Sequence, residues 1–417
     1  MSRLISPGRL LVLLTIGGLL GFILAPRVQD LLGIFDFGHW FLDSYAVLAA
    51  NDARRAGIGP DVPNPLDVFM RNHVYSDWWF ALQWLGLTRA DNFLVGSSWV
   101  IAFLITAWAG MWPSSYREAG WYTLLLLSPP VLLSINRANN DLVVFALLAA
   151  AGLILHQGKS WRLFLAWSCI ALAAGLKYYP VVAGAVFLLV RPPHRMLVVC
   201  SAALLGLILI MANIWSTLGR GFFEIPHNIY TFGAPGIFRD LGWQGHGVLA
   251  TSVAVLGIAA SGLVLGRRTR GLADPQASLR SRAGFVLGAA VLVACFLAGS
   301  SYAYRWIFLL LLAPWLWHEA HAETNNRWRR RVAQWTLWLL LSVLWLDGLF
   351  CFVVNSFFAP VPSDRLEQIQ FLWRMARYPL DWALLALLAG WLLDLLGDSV
   401  RAVMTESRDT KGAFQNS

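Results

Sequence analysis

The sequence predicts an all-α polytopic membrane protein with amphipathic helices on its extracytoplasmic surface, and three observations carry that prediction. First, the 417 residues are 58% hydrophobic and only 13% charged, with a mean hydropathy of +0.59. A soluble chain of this length could not hide so much apolar surface, whereas a lipid bilayer solvates it. Second, the apolar residues lie in long runs separated by short polar breaks. Third, the chain has 22 Trp, and several sit at run ends, namely Trp40, Trp78, Trp79, Trp112, Trp161, Trp306 and Trp328, as in an interfacial aromatic belt.

The apolar runs cover 10–25, 93–112, 120–135, 142–156, 163–176, 180–190, 196–215, 247–266, 284–299, 306–318, 332–354 and 379–397. A spanning helix needs roughly 20 apolar residues, so these are read as about twelve transmembrane helices. Arg3 and Arg9 precede the first run, but Ile23-Leu24-Ala25 is a poor cleavage site, so that run is read as a retained helix. The runs 163–176 and 180–190 are short and meet at Pro180; they are either two thin spans or one re-entrant hairpin covered by protein. Residues 1–397 thus read as one integral-membrane domain, and 398–417 as a polar, disordered cytoplasmic tail.

Orientation follows the Lys and Arg residues. With the N-terminus inside, 19 of the 32 fall in inner segments, although the outer loops are longer. That places both termini in the cytoplasm and loops 26–92, 136–141, 177–179, 216–246, 300–305 and 355–378 outside a cell inner membrane. In the first loop, Phe37–Ala56 has apolar residues at helical spacing and ends at Gly57, which predicts an amphipathic surface helix. A second amphipathic piece surrounds Tyr75–Leu87, and 216–246, rich in Gly and aromatics, reads as a binding loop. The net charge of +9 is spread thinly over the loops, which excludes a nucleic-acid surface. Cys169, Cys200, Cys295 and Cys351 lie in or beside apolar runs without CxxC spacing, so they read as buried thiols.

Chemistry-bearing residues concentrate in the outer breaks. Asp43, near the start of the surface helix, is the first candidate general base, since a carboxylate at the lipid–water boundary can take a proton from a hydroxyl. Asp36 is the alternative, and the plainer reading of either is a solvated helix-start carboxylate. Asn136-Arg137-Ala138-Asn139-Asn140-Asp141 holds more planar polar groups than a helix cap at Asn140 or Asp141 requires, which suits sugar hydroxyls. Lys177 in Leu176-Lys177-Tyr178-Tyr179-Pro180 either snorkels to the interface or binds an anion. Tyr302-Ala303-Tyr304-Arg305 sets a fixed cation beside phenols; two such cations can hold a phosphate, while belt aromatics with an interfacial Arg are the plainer reading. His39, His73, His227 and His246 show no metal-ligand spacing, so no metal or other cofactor is expected.

These stretches resemble the GT-C superfamily of membrane glycosyltransferases, and most closely its family 87, the polyprenyl-phosphate-dependent mannosyl- and arabinofuranosyltransferase type. Asp43-Ser44-Tyr45 followed by an Ala-rich helix and Gly57 is similar to that family's first loop. Arg137-Ala138-Asn139-Asn140-Asp141-Leu142 resembles its Arg-Gly-Asn-x-Asp-Leu stretch, and Gly175-Leu176-Lys177-Tyr178-Tyr179-Pro180 its Gly-x-Lys-x-x-Pro stretch. The resemblance runs to about residue 195; beyond it only hydropathy and the Tyr-Arg pair at 302–305 match. Ala138 replaces the usual Gly, and Pro60-Asp61-Val62 stands where a Pro-Tyr often occurs.

The resemblance implies an inverting transferase with a polyprenyl-phosphate sugar donor, a lipid or glycan acceptor and the first-loop Asp as base. Asn139, Asn140 and Asp141 would place the sugar or the base, Lys177 and Arg305 would hold the leaving phosphate, and Tyr178, Tyr302 and Tyr304 would contact the ligands. Two other readings stay open. One is an envelope polysaccharide polymerase or ligase with a diphosphate-linked donor. The other is a transporter or lipid flippase, which predicts ionisable groups near mid-membrane, where only Asp347 and Asp394 interrupt the runs.

Overall fold

The computed structural model describes residues 5–34, 39–155, 160–190, 229–243, 278–299, 301–322, 326–358 and 362–415, with a few helical residues at 206 and between 253 and 264. The runs 196–215 and 247–266, most of the 216–246 loop, and Asp36, His227 and His246 lie outside the described residues or nearly so.

The described chain is almost entirely helical. It comprises α1 (Pro7–Leu24), α2 (Pro26–Leu31), α3 (Leu42–Arg55), α4 (Asn92–Gly110), α5 (Tyr116–Leu126), α6 (Pro129–Asn136), α7 (Asp141–Ile154), α8 (Ser160–Leu176), α9 (Pro235–Asp240), α10 (Leu279–Ala298), α11 (Leu309–His321), α12 (Arg327–Phe357) and α13 (Ser363–Gln415). Three longer 3-10 helices cover Asp77–Leu85, Tyr179–Leu189 and Ala303–Phe308. Five helical stretches are long and apolar enough to cross a membrane: Pro7–Leu24, Arg89–Gly110, Leu279–Ala298, Arg327–Phe357 and Arg365–Gly397. The α5–α6 pair, bent by 54°, is a sixth if it counts as one broken span. The runs read at 142–156, 163–176 and 180–190 form shorter helices, Asp141–Ile154, Trp161–Leu176 and Tyr179–Leu189, so the described residues support five or six full-length spans. A membrane protein follows from these helices.

α10 is the central helix, packed on α11, α7, α13 and the 179–189 helix. Its approach to α11 is close: a Cβ at Gly284 would lie 2.7 Å from the Leu311 carbonyl oxygen, and one at Gly288 2.7 Å from that of Phe308. Only hydrogen side chains allow that spacing. Phe285, Phe296, Trp306, Trp315 and Trp391 fill the space around it.

The two carboxylates near the middle of apolar runs, Asp347 and Asp394, each meet an arginine. Arg329, fully buried, donates to Glu319 at 2.6 Å and to Asp394 at 2.8 Å and lies over the Trp391 ring. Arg377 donates to Asp347 at 2.6 Å and lies 3.1 Å from Asp381. Charges so paired are costly to separate and tie helices together. They are structural clamps between α11, α12 and α13, with no carrier role required.

Two features differ from the expected loops. Helix α3 begins at Leu42 because Phe41 takes a left-handed backbone (φ 64°) while its N–H donates to the Asn136 carbonyl. It is also largely enclosed by protein: Leu42, Asp43, Ser44, Val47, Leu48, Ala49 and Asn51 are buried, and Ser44 donates to Asn92 at the start of α4. Where 355–378 was read as loop, α13 starts at Ser363 and passes through Pro379, and its backbone stays helical to Gln415.

Candidate active site

Four segments far apart in sequence meet at the N-terminal end of α7. The first is α3. The N–H of Asp43 donates to the Arg137 carbonyl at 2.9 Å, so the residue is fastened by its backbone to the turn between α6 and α7. That turn reaches back with side chains. Arg137 grips Asp43 in a fork, Nε to Oδ2 at 3.0 Å and Nη2 to Oδ1 at 2.7 Å, and Asn139 Nδ2 donates to Oδ2 at 2.6 Å. Arg71 lies 3.5 Å from Oδ1 and is itself held by Asp67 and the Leu42 carbonyl. Asp43 is 2% exposed. Burial alone would raise its pKa, but Arg137 above all, then Arg71 and Asn139, hold it below the ordinary carboxylate value. It is an ionised group with three of its roughly four lone-pair sites filled; the remaining one is on Oδ1, on the Arg71 side.

The turn itself is tightly built. Ala138, fully buried, adopts φ 41°. A left-handed backbone is the conformation in which Gly costs least and a residue with a Cβ is strained. Asn139 supplies the oxygen that caps α7, accepting from the Asp141 N–H at 2.9 Å, while Asn140 makes no capping bond. One amide therefore both caps the helix and holds Asp43. The side-chain polar atoms of Asn136 and Asn140 are buried without hydrogen-bond partners, as is Asp141 Oδ2. Buried polar atoms left open in this way mark places where a polar ligand or water completes the bonding.

The third segment follows α8. Lys177 donates to Asp141 Oδ1, and the Tyr179 hydroxyl donates to the same oxygen at 2.5 Å. The ammonium lies 5.6 Å from the Tyr75 ring centre. Burial pulls the Lys177 pKa down and the nearby Arg305 adds to this, against the opposing charge of Asp141. Gly175 lets the first loop dock here: a Cβ at Gly175 would overlap the Trp78 indole, and Ser76 and Trp79 donate to the Gly175 and Leu176 carbonyls. His73 is absorbed by this packing, its ring 4.5 Å from that of Phe80.

The fourth segment is β2 (Ser301–Tyr302) and the turn after it. Its partner strand is β1 (Thr231–Phe232), with Thr231 opposite Tyr302. Tyr302 and Tyr304 stack with ring centres 5.6 Å apart. Arg137 lies 6.0 Å from the Tyr302 ring, and Arg305 lies 4.9 Å from the Tyr179 ring. Among the described residues Arg305 forms no ion pair, and its Nε is buried without a hydrogen bond.

The structure thus gathers Asp43, Asn139, Asp141, Lys177, Tyr302, Tyr304 and Arg305, all singled out by sequence, into one cluster. Tyr178 is turned outward, 41% exposed, and its neighbour Tyr179 makes the inward contact. Arg71, Tyr75, Arg137 and Tyr179 belong to the cluster without having been candidates. Arg137 and Tyr179 sit inside the recognised stretches and Tyr75 opens the piece read as amphipathic, whereas Arg71 lies in irregular loop with no periodicity to mark it. Among the described residues no three His, Cys, Asp or Glu side chains gather as a metal site would.

Comparison with protein-family models matches residues 81–295, just over half of the chain, to glycosyltransferase family 87. The chain belongs to glycosyltransferase family 87. It is accordingly a membrane glycosyltransferase. The family 87 match takes in Arg137–Asp141 and Lys177 but not Asp43 or Tyr302–Arg305, which join the matched region through the contacts above. Searches among curated proteins and solved structures found no match.

Proposed function

We propose that this family 87 member transfers a sugar from a polyprenyl-phosphate donor to an acceptor hydroxyl at the outer face of the cell inner membrane, with inversion at the anomeric carbon. The balance of charge in the cluster carries this reading. Among the described residues, the carboxylates that Arg71, Arg137, Lys177 and Arg305 meet are Asp43, Asp67 and Asp141. Lys177 and Arg305 have one carboxylate between them, and a phosphate monoanion or dianion supplies what is missing.

In this mechanism the donor phosphate binds between Lys177 and Arg305. The acceptor hydroxyl lies on Asp43 Oδ1, the oxygen with a free lone pair. As the acceptor oxygen bonds to the anomeric carbon, the bond from that carbon to the phosphate oxygen breaks, the electron pair leaves with polyprenyl phosphate, and Asp43 takes the hydroxyl proton. Because Arg137 and Asn139 keep the carboxylate weakly basic, proton transfer comes late, once bonding to carbon has made the hydroxyl acidic. Asp141 Oδ2 and the open amides of Asn136 and Asn140 accept from and donate to sugar hydroxyls. Tyr302 and Tyr304 offer a ring face.

The test is release of polyprenyl phosphate by the purified protein in lipid, with a panel of polyprenyl-phosphate and polyprenyl-diphosphate sugars. Arg305→Met and Lys177→Met should each raise the donor KM about tenfold or more, the cost of one lost charged hydrogen bond. Turnover confined to diphosphate donors would move the protein to the polymerase or ligase class. Vesicle uptake or lipid flipping without any transfer would make it a transporter.

A further inference from the structure

The first turns of α13 carry a polar cleft that the proposed transfer chemistry does not use. The span Arg365–Gly397 has 33 residues and is therefore about 50 Å long, against about 30 Å of hydrocarbon. Its apolar part, 379–397, fills the bilayer, so the turns before Pro379 stand at the level of headgroups and water. Helix α9 packs on those turns. Asp240 Oδ2 accepts from Arg374 Nε and from the Tyr378 hydroxyl, each at 2.8 Å. A Cβ at Gly236 would lie 2.9 Å from the Tyr378 oxygen, so the two helices approach closely.

Beside this contact lies a cleft of about 680 Å³, the size of a ligand site rather than a packing gap. Its wall includes Arg374, which is 3% exposed and whose Nη1 is buried without a hydrogen-bond partner among the described residues. A buried donor left open in this way marks a place for a polar ligand. Glu367 and Gln368, exposed on α13, add acceptors and an amide, and Phe371 and Leu372 add an apolar strip. Arg239 and Asp240 complete the wall from α9. Two cations are thus matched by two carboxylates, and a phosphate would find no charge to neutralise. Hydroxyls suit the wall, because each both donates and accepts, and the carbon face of a sugar ring suits the apolar strip. The cleft is also joined to the candidate active site. Arg377, about 4.5 Å further along α13 than Arg374, clamps the Ile229 and Thr231 carbonyls, and Thr231 pairs with Tyr302.

We propose that the cleft between α9 and α13 is a saccharide-binding subsite that holds a neutral sugar unit of the acceptor. Arg374 Nη1 donates to one hydroxyl of that unit, Glu367 and Gln368 meet others, and Phe371 and Leu372 lie against the ring. That the unit belongs to the acceptor rests on the transfer reaction proposed above; that a sugar binds here does not.

Saturation-transfer NMR of the full-length protein in lipid nanodiscs, without donor, tests this with the methyl glycosides of mannose, glucose, galactose and arabinose at millimolar concentration. At least one should receive saturation from the wild-type protein. Leu372→Trp, which sets an indole in the cleft, and Gln368→Ala, which removes an amide, both change exposed positions, and thermal unfolding checks that each variant is folded. Each should cut the transfer severalfold. Transfer of wild-type size in either folded variant, or none to any glycoside from wild type, would overturn the proposal. Because no donor is present, a failure to release polyprenyl phosphate leaves this result untouched. Conversely, a cleft that binds no sugar leaves the chemistry at Asp43 standing.

Discussion

Arg137 holds both oxygens of Asp43, at 2.7 and 3.0 Å, across 94 residues of sequence. The pair is buried on the Asp43 side and one-fifth open on the Arg137 side, so it joins the first loop to the end of α6 while leaving an edge for a ligand. Replacing Arg137 with Met leaves a buried carboxylate without its principal partner. A loss of about 2–3 kcal/mol in stability is expected, the lower end of the range for broken buried pairs because Arg137 is partly solvated. Arg137→Lys should recover part of the stability but not the forked geometry. Thermal unfolding in lipid nanodiscs, compared with the transfer rate, checks both; unchanged melting for Arg137→Met would contradict the role assigned to the pair.

The same pair sets a pH dependence. Asp43 has a folded pKa below its unfolded value of about 4. Its contribution to stability is therefore complete above about pH 4 and is lost as pH falls through the lower folded value. An acidic limb in kcat/KM due to Asp43 should accordingly fall below about pH 4. Lys177 has the opposite consequence: burial lowers its pKa, so phosphate binding should weaken on the alkaline side before the ordinary lysine value of about 10.4. A pH–rate profile measures both limbs. An acidic limb near about pH 6 that shifts in Arg137→Lys would show that Asp43 titrates where the structure says it does not.

Ala138 supplies a backbone test. At φ 41° a side chain beyond Cβ is strained, and the site is fully buried. Ala138→Gly exchanges relief of that strain, about 1–2 kcal/mol, for greater flexibility of the unfolded chain and a lost methyl contact, so it should change stability by less than about 1 kcal/mol. Ala138→Val should destabilise by more than about 2 kcal/mol and depress activity, because it moves Asn139 away from Asp43. Paired unfolding and activity measurements on the two variants decide the point.

Arg377 acts at a distance on the same site. It donates to the Ile229 carbonyl at 2.7 Å and to that of Thr231, and so clamps β1, whose partner β2 carries Tyr302 and leads into Tyr304 and Arg305. The Ala303 N–H adds a bond to the Tyr230 carbonyl at 2.8 Å. Arg377→Met should loosen this strand pair and raise the donor KM several-fold more than it lowers kcat, because Arg305 would be displaced rather than removed. Equal losses in both constants, tracking the fraction of unfolded protein, would mark Arg377 as purely structural.

The residues legible in the sequence were those that interrupt apolar runs. Asp141, Lys177 and Arg305 stand out because a polar group beside a membrane span needs a reason, and their common side follows from alternation of breaks. Their pairing is another matter. Nothing in local sequence tells Asp43 that its partner is Arg137, or that Asn139 rather than Asn140 caps α7, since both depend on the left-handed turn at Ala138. Arg71 was invisible because irregular loop has no period to read, and Tyr75, at the edge of the piece read as amphipathic, carried no sign of its contact with Lys177. The start of α3 at Leu42 was missed because Phe41, an aromatic residue at positive φ, breaks the helical pattern only through a tertiary bond to Asn136. Apolar runs do not by themselves count spans: 142–156 and 180–190 form helices shorter than a full crossing, and burial in protein selects the same residues as burial in lipid.

The central claim is that Asp43 is the base in transfer from a lipid-phosphate donor. It is tested most directly by polyprenyl-phosphate release from purified wild-type protein and Asp43→Asn in lipid, with folding of the variant verified by thermal unfolding. Donor-dependent release that falls by about 10²- to 10⁴-fold in the folded variant is the expected result. Release at the wild-type rate by folded Asp43→Asn would contradict it.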